Sequence, residues 1–173
     1  MSAPANLSEC YVEELKDLIS ANDQMKKVVK KLAKVANDEK LKTKLTSSVD
    51  GIDSHTDMLK ELLSEAGGKG KEHCKGMEGL VAEAEHHVLE EEFEDSDVRD
   101  VVIVTQFQRM SHYGICGFGT AAAFAGALGH KAHVKKLDKA TSDIYKSDEN
   151  MTMLAEQSVN LKAKEDAADG AKK

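Results

Sequence analysis

Tryptophan is missing from this chain, and proline occurs once, at Pro4. Past residue 5 there is therefore no residue that removes an i→i−4 hydrogen bond and breaks a helix by covalent necessity. The cysteines, Cys10, Cys74 and Cys116, are odd in number, widely spaced and without a CxxC pair. That usage argues for reduced thiols over a disulfide framework. A basic excess is also absent: the net charge is −7, which argues against nucleic acid or an anionic membrane as a partner for a basic face. No apolar run approaches the ~20 residues of a membrane span. Met1-Ser-Ala-Pro-Ala has neither the basic nor the apolar region of a secretory leader. The expected location is the cytoplasm, with no nucleic-acid and no membrane partner.

At 173 residues the chain has the length of one domain, for which ~100–200 residues is usual. Hydrophobic residues at 40% and charged ones at 32% suit a soluble helical protein with a real core. Apolar periodicity resolves into four long helices and a shorter one. Asn6 with Glu9 three residues on forms a capping-box pattern, and Leu7, Tyr11, Leu15, Leu18, Met25, Val29 and Leu32 follow on one face. Asn37-Asp38 breaks this helix. A second runs from Asp38 to Ala66 and ends at Gly67-Gly68, where glycine can take a left-handed cap. A shorter helix is expected from Lys75 to Glu92. The acidic turn Glu94-Asp95-Ser96-Asp97 caps the next, Val98 to Leu128, and the last runs from Lys131 to Val159. Residues 1–160 form the expected domain, and 161–173, all small or charged apart from Leu161, an expected disordered tail.

Four long amphipathic helices with a short one between the second and third describe an all-α, four-helix bundle with a crossover connection. This is the ferritin-like arrangement, whose facing helices can carry carboxylates for a di-iron site.

Several segments then become recognisable: Tyr11-Val-Glu-Glu-Leu-Lys-Asp-Leu, Cys74-Lys-Gly-Met-Glu-Gly-Leu-Val-Ala-Glu-Ala, Asp97-Val-Arg-Asp, Gln108-Arg-Met-Ser-His-Tyr-Gly-Ile and Phe118-Gly-Thr. They resemble the YciE/YciF family of bacterial ferritin-like stress proteins. The resemblance implies a ferritin-like fold, a homodimer or larger homo-oligomer, a stress-related role, and an iron or manganese centre. The ligand positions it implies are largely substituted here. Asn22 stands where a glutamate is expected in the first helix, and Asp50, Gly51 and His55 replace the carboxylates of the second. Ser111-His-Tyr-Gly114 replaces Glu-His-Tyr-Glu, and Ser142, Asp143 and Ile144 occupy the glutamate cluster of the last helix.

Physical chemistry points the same way. Two hard cations in a dry core need several anionic oxygens, commonly four Glu and two His. The inferred inward positions Asn22, Gly51, Ile52, His55, Ser111, Gly114, Ile144 and Asp148 offer one carboxylate and one imidazole. An altered metal site would have to draw on Asp50, His55, His112, Asp143 and Asp148.

The segment 106–119 holds Gly114, Gly117 and Gly119 in one helix, although each glycine costs up to ~1 kcal/mol against alanine there. Close helix contact is the favoured explanation. The other is a pocket bounded by His55, His112, Gly114 and Cys116, able to hold a lone metal ion, a haem-like cofactor or a lipid-like ligand.

Three weaker signals stand beside it. His86 and Glu90 are one turn apart, a spacing that can bind a divalent ion. His130 and His133 read as a solvated pair. Cys74, beside Lys75 near a helix start, is a candidate for a lowered thiol pKa.

No phosphate loop, Ser/His/Asp set or paired catalytic carboxylate is identifiable. The leading expectation is a metal-degenerate, non-enzymatic protein acting by assembly or partner binding and holding no cofactor. The alternatives are an iron or manganese oxidase or store, and a ligand- or haem-binding bundle.

Overall fold

The computed structural model describes residues 3–164. Five α-helices account for most of them: α1 (Leu7–Val35), α2 (Glu39–Glu65), α3 (Lys75–Glu85), α4 (Ser96–Ala127) and α5 (Lys131–Leu154). Among the described residues there is no strand.

The helix ends follow local chemistry. Asn6 Oδ1 accepts from the Glu9 amide at 3.0 Å, and the Glu9 carboxylate accepts in return from Asn6 Nδ2 at 3.0 Å and from the Ala5 amide at 2.8 Å. Three polar groups at the helix start are thereby satisfied. Asp38 caps α2 through the Lys40 and Leu41 amides, and Asp95 caps α4 through that of Asp97. Gly67 and Gly129 leave α2 and α4 with positive φ, 72° and 81°, which side-chain-bearing residues rarely adopt.

Two expected helices are not uniform. The segment after Cys74 is α-helical to Glu85, then makes a π-turn over His86–Glu90. The last helix also widens into a π-turn at Ala155–Val159, and then resumes through residue 164. The tail boundary at 161 therefore falls inside a helix. Lys162 reaches back to Asp38 Oδ2 at 2.7 Å, a contact that composition alone does not disclose. The expected disorder of 165–173 concerns residues outside those described.

The hairpins α1–α2 and α4–α5 pack side by side, and the connection from α2 to α4 carries α3 across α1 and α4. The contact between α2 and α5 is much sparser. The apolar interior divides into two clusters. One contains Met25, Val28, Leu32, Leu45, Ile103 and Phe107; the other contains Tyr11, Leu15, Leu18, Leu59, Phe118 and Leu137. Their seam lies at the middle of the bundle.

Candidate functional site

A cavity of about 600 Å³ lies at that seam. α1 contributes Asn22 and Met25; α2 contributes Lys44, Ser48, Gly51, Ile52 and His55. α4 adds Phe107, Met110, Ser111 and Gly114, and α5 adds Asp143, Ile144, Lys146, Ser147 and Asn150. On α2 the row 44, 48, 51, 55 follows the i, i+4, i+7 spacing that places residues on one helix face. The same spacing joins 143, 147 and 150 on α5.

The glycines explain why the space exists. A Cβ added at Gly51 would meet nothing within 4 Å, and one at Gly114 would meet only Ile144 Cδ1, at 3.6 Å. The expectation of close helix contact is therefore corrected at Gly114, and also at Gly119, where an added Cβ would meet nothing within 4 Å. It holds at Gly117, where a Cβ would come within 2.6 Å of Leu18 Cδ2.

Polar side chains make up much of the lining, Asn22, His55, Ser111 and Asp143 among them. Asn22 is 7% exposed, and its Nδ2 has no hydrogen-bond partner. An amide donor in that condition costs roughly 1–3 kcal/mol unless something accepts from it. The Ser111 hydroxyl is already used, donating to the Phe107 carbonyl at 3.0 Å. Burial pushes the His55 imidazole below its ordinary pKa, against the opposing pull of Asp143, so it is neutral at pH 7. Its Nε2 is 4.0 Å from Asp143 Oδ2, beyond hydrogen-bond length, and its ring meets the edge of Phe118. Asp143 is held below the usual carboxylate range by its hydrogen bond from Lys139.

Of the residues singled out from sequence, the cavity gathers Asn22, Gly51, Ile52, His55, Ser111, Gly114, Asp143 and Ile144. The others lie elsewhere. Asp50 and Cys116 are exposed. His112 is exposed too and pairs with Asp148 at 3.1 Å, while Gln108 Nε2 donates to the same carboxylate at 3.0 Å. One helical step of 100° turns His112 away from Ser111, which is buried. Periodicity could have found Lys44 and Ser48 from Gly51 and His55, but not the gap between α2 and α5 that makes them lining residues.

Residues 6–164 match the family described as a domain of unknown function, DUF892. The chain belongs to that family. It is 29% identical over 163 residues to the protein YciF of Escherichia coli K12, covering 93% of this chain and 97% of that one. The crystal structure of the E. coli stress protein YciF superposes with a TM-score of 0.84 at 28% identity, over 91% of this chain and 99% of the other. YcfI of Rhodopseudomonas palustris gives 0.80 at 26% identity, over 85% and 93%. The DUF892 chain described here thus has the ferritin-like bundle fold of YciF.

The di-metal centre that the resemblance implies does not fit these residues. Asp50, His55, His112, Asp143 and Asp148 do not converge: His55 with Asp143 and His112 with Asp148 form separate pairs, and Asp50 faces solvent. The cavity itself offers one carboxylate, already bound to Lys139, and one neutral imidazole. Ile144 and Ile52 line it with hydrocarbon, which raises the cost of burying charge beside them.

Two further polar clusters were not legible in the sequence. His133 is buried, not solvated: its Nδ1 pairs with Tyr11 Oη at 2.9 Å and its Nε2 with Glu65 at 2.8 Å. Tertiary packing of α5 on α1 and α2 encloses it, whereas His130 is left exposed. Cys74 is fully buried as the cap of α3, with Sγ near Asp17 and Tyr113. Burial pushes its thiol up, the reverse of the shift expected from its place at a helix start.

Proposed function

We propose that this chain is a metal-degenerate member of its family that uses the vacated centre of the bundle to hold a small amphiphilic molecule. The observation that carries this reading is the unpartnered Nδ2 of Asn22, a residue in the wall of a 600 Å³ space that Ile52, Phe107, Met110 and Ile144 also line. Most of the surface of the wall is apolar, as in pockets for small molecules, with polar side chains set around it. The Asn22 donor selects a carbonyl or carboxylate oxygen. Lys44 and Lys146 on the two lining helices favour an anion. The likeness to a stress protein supports a role in a stress response, with sequestration of the molecule in place of chemistry on it.

Fluorescence titration with 1-anilinonaphthalene-8-sulfonate, an apolar anion, tests this. Saturable binding of one probe per chain is expected, lost in Gly114→Phe, which fills the space, and weakened in Asn22→Leu. No stoichiometric binding, or binding unchanged in Gly114→Phe, rules the reading out.

Assembly of copies of the chain is the second reading. Tyr145, Met153 and Leu161, all on the last helix, are 49%, 46% and 51% exposed, and large apolar side chains in that state are suited to a partner. Sedimentation velocity over a concentration series distinguishes a monomer from a dimer or larger species.

A further inference from the structure

Among the described residues, there is one place where three His, Cys, Asp or Glu side chains come within reach of a single ion, and it is far from the central cavity in sequence and lining. It is the π-turn after α3. A nitrogen of His86, a nitrogen of His87 and a carboxylate oxygen of Glu91 lie within 4.8 Å of one another. Glu91 Oε1 is 2.8 Å from His87 Nδ1 and 3.7 Å from His86 Nε2. A tetrahedral ion with donors at about 2.0–2.1 Å holds those donors roughly 3.3 Å apart, and the two measured spacings bracket that value.

The backbone is what makes the trio possible. In an α-helix residues i and i+5 are separated by about 140° of rotation and face different sides. Here the Glu91 amide bonds to the His86 carbonyl, an i→i+5 link, and the wider turn brings Glu91 back over His86. The adjacent rings of His86 and His87 also draw together, with centroids 4.9 Å apart. π-turns of this kind frequently mark functional sites.

The remaining nitrogen of each ring is engaged by a carboxylate of its own. His86 Nδ1 is 3.3 Å from Glu90, and His87 Nε2 is 3.2 Å from Glu83. Metal-bound histidines show this arrangement: the far N–H donates to a carboxylate, which fixes the tautomer and aims the near nitrogen at the ion. Three features thus coincide, namely a shared oxygen, two rings aimed at it and an outer carboxylate for each ring.

We propose that His86, His87 and Glu91 form a binding site for a borderline divalent transition ion of the zinc class, with Glu83 and Glu90 as positioning residues. Three protein donors leave at least one coordination position open to water or an incoming ligand. The site is independent of the cavity proposal, since none of its residues lines that space.

The test is calorimetric titration of the tag-free full-length chain with Zn²⁺, repeated with Co²⁺ while following visible absorption. One ion per chain is expected, with a tetrahedral-type Co²⁺ band. His87→Gln and Glu91→Gln should each abolish saturation. Glu83→Gln should weaken binding about tenfold, the lower end of what an outer carboxylate contributes. His55→Gln and His73→Gln should leave it unchanged. The π-turn substitutions fall on the half-buried His87 and the exposed Glu83 and Glu91, and circular dichroism checks the fold of each variant. Absence of zinc binding in the parent chain, or affinity unaltered by Glu91→Gln in a folded variant, would overturn the assignment. So would loss of binding with His55→Gln.

Discussion

Tyr11 and His133, 122 positions apart, share a buried hydrogen bond across the bundle, Oη to Nδ1 at 2.9 Å, and Glu65 holds the other ring nitrogen at 2.8 Å. One polar chain thereby ties α1, α2 and α5 together at the end of the bundle beyond the cavity. Burial first, and the charge of Glu65 second, push the Tyr11 phenol up to about 12.

That shift has a definite sign in stability. The unfolded phenol loses its proton near pH ~10, whereas the folded one keeps it. Tyr11 thus contributes stability that is complete below pH 10 and is lost as pH rises through about 12. Melting temperature measured from pH 8 to 12 should fall along the upper part of this range, and Tyr11→Phe should flatten the fall. At pH 8 the same variant should be less stable by about 1–2 kcal/mol, because it strands a buried nitrogen of His133.

Two glycines of the bundle should respond oppositely to alanine. Gly51 sits inside α2 with open space around it, so Gly51→Ala should stabilise by about 0.5–1 kcal/mol through helix propensity. Gly117 meets Leu18, which is fully buried, so Gly117→Ala should cost about 1–3 kcal/mol from overpacking. Urea denaturation of both variants checks the contrast, and equal shifts would mean that the cavity side and the packed side of the bundle do not differ.

His55 gives the cavity an acid limb. Its pKa is lowered in the fold by burial, so the unfolded chain takes up a proton first as pH falls below ~6.5. The fold should lose stability on acidification through that value, and His55→Leu should remove this component while leaving stability at pH 8 equal or higher. Thermal melts at pH 5 and pH 8 on both proteins read this directly.

Asp38 links the start of α2 to the end of the last helix. Its Oδ1 accepts from the Lys40 and Leu41 amides and its Oδ2 from Lys162. Burial opposes ionisation, yet Lys162 and the two amides prevail and hold the carboxyl below its usual range. This stability is present above the ordinary carboxylate pKa and lost as pH falls past it. Asp38→Ala should cost about 1–2 kcal/mol as a lost cap. Truncation after residue 160 should lower the melting temperature as well, which a tail without contacts would not do; differential scanning calorimetry distinguishes the two outcomes.

The likeness to YciF bears on these expectations only through the fold. Family membership accounts for the bundle and its crossover, while Asn22, Gly51, Ser111, Gly114 and Ile144 line the centre without a carboxylate.

The helices and their caps were determined by sequence alone, because apolar spacing, Asn6 with Glu9, Asp95, Gly67 and Gly129 act through bonds within a few residues of one another. Most inward positions followed too, since a helical face is fixed by periodicity and four facing stripes must meet, but His112 and Cys116 are exposed and Asp148 lies outside the cavity. Tertiary structure decided the rest. Whether a missing side chain leaves a hole depends on how near the opposite helix comes, and the loose α2–α5 contact lies outside any local pattern. The burial of His133, the contact of Cys74 with Asp17 and the reach of Lys162 to Asp38 join residues 57 to 124 positions apart. The π-turn that brings Glu91 over His86 depends on one additional residue in a helical turn, and no side chain in Glu85-His-His-Val-Leu-Glu announces it.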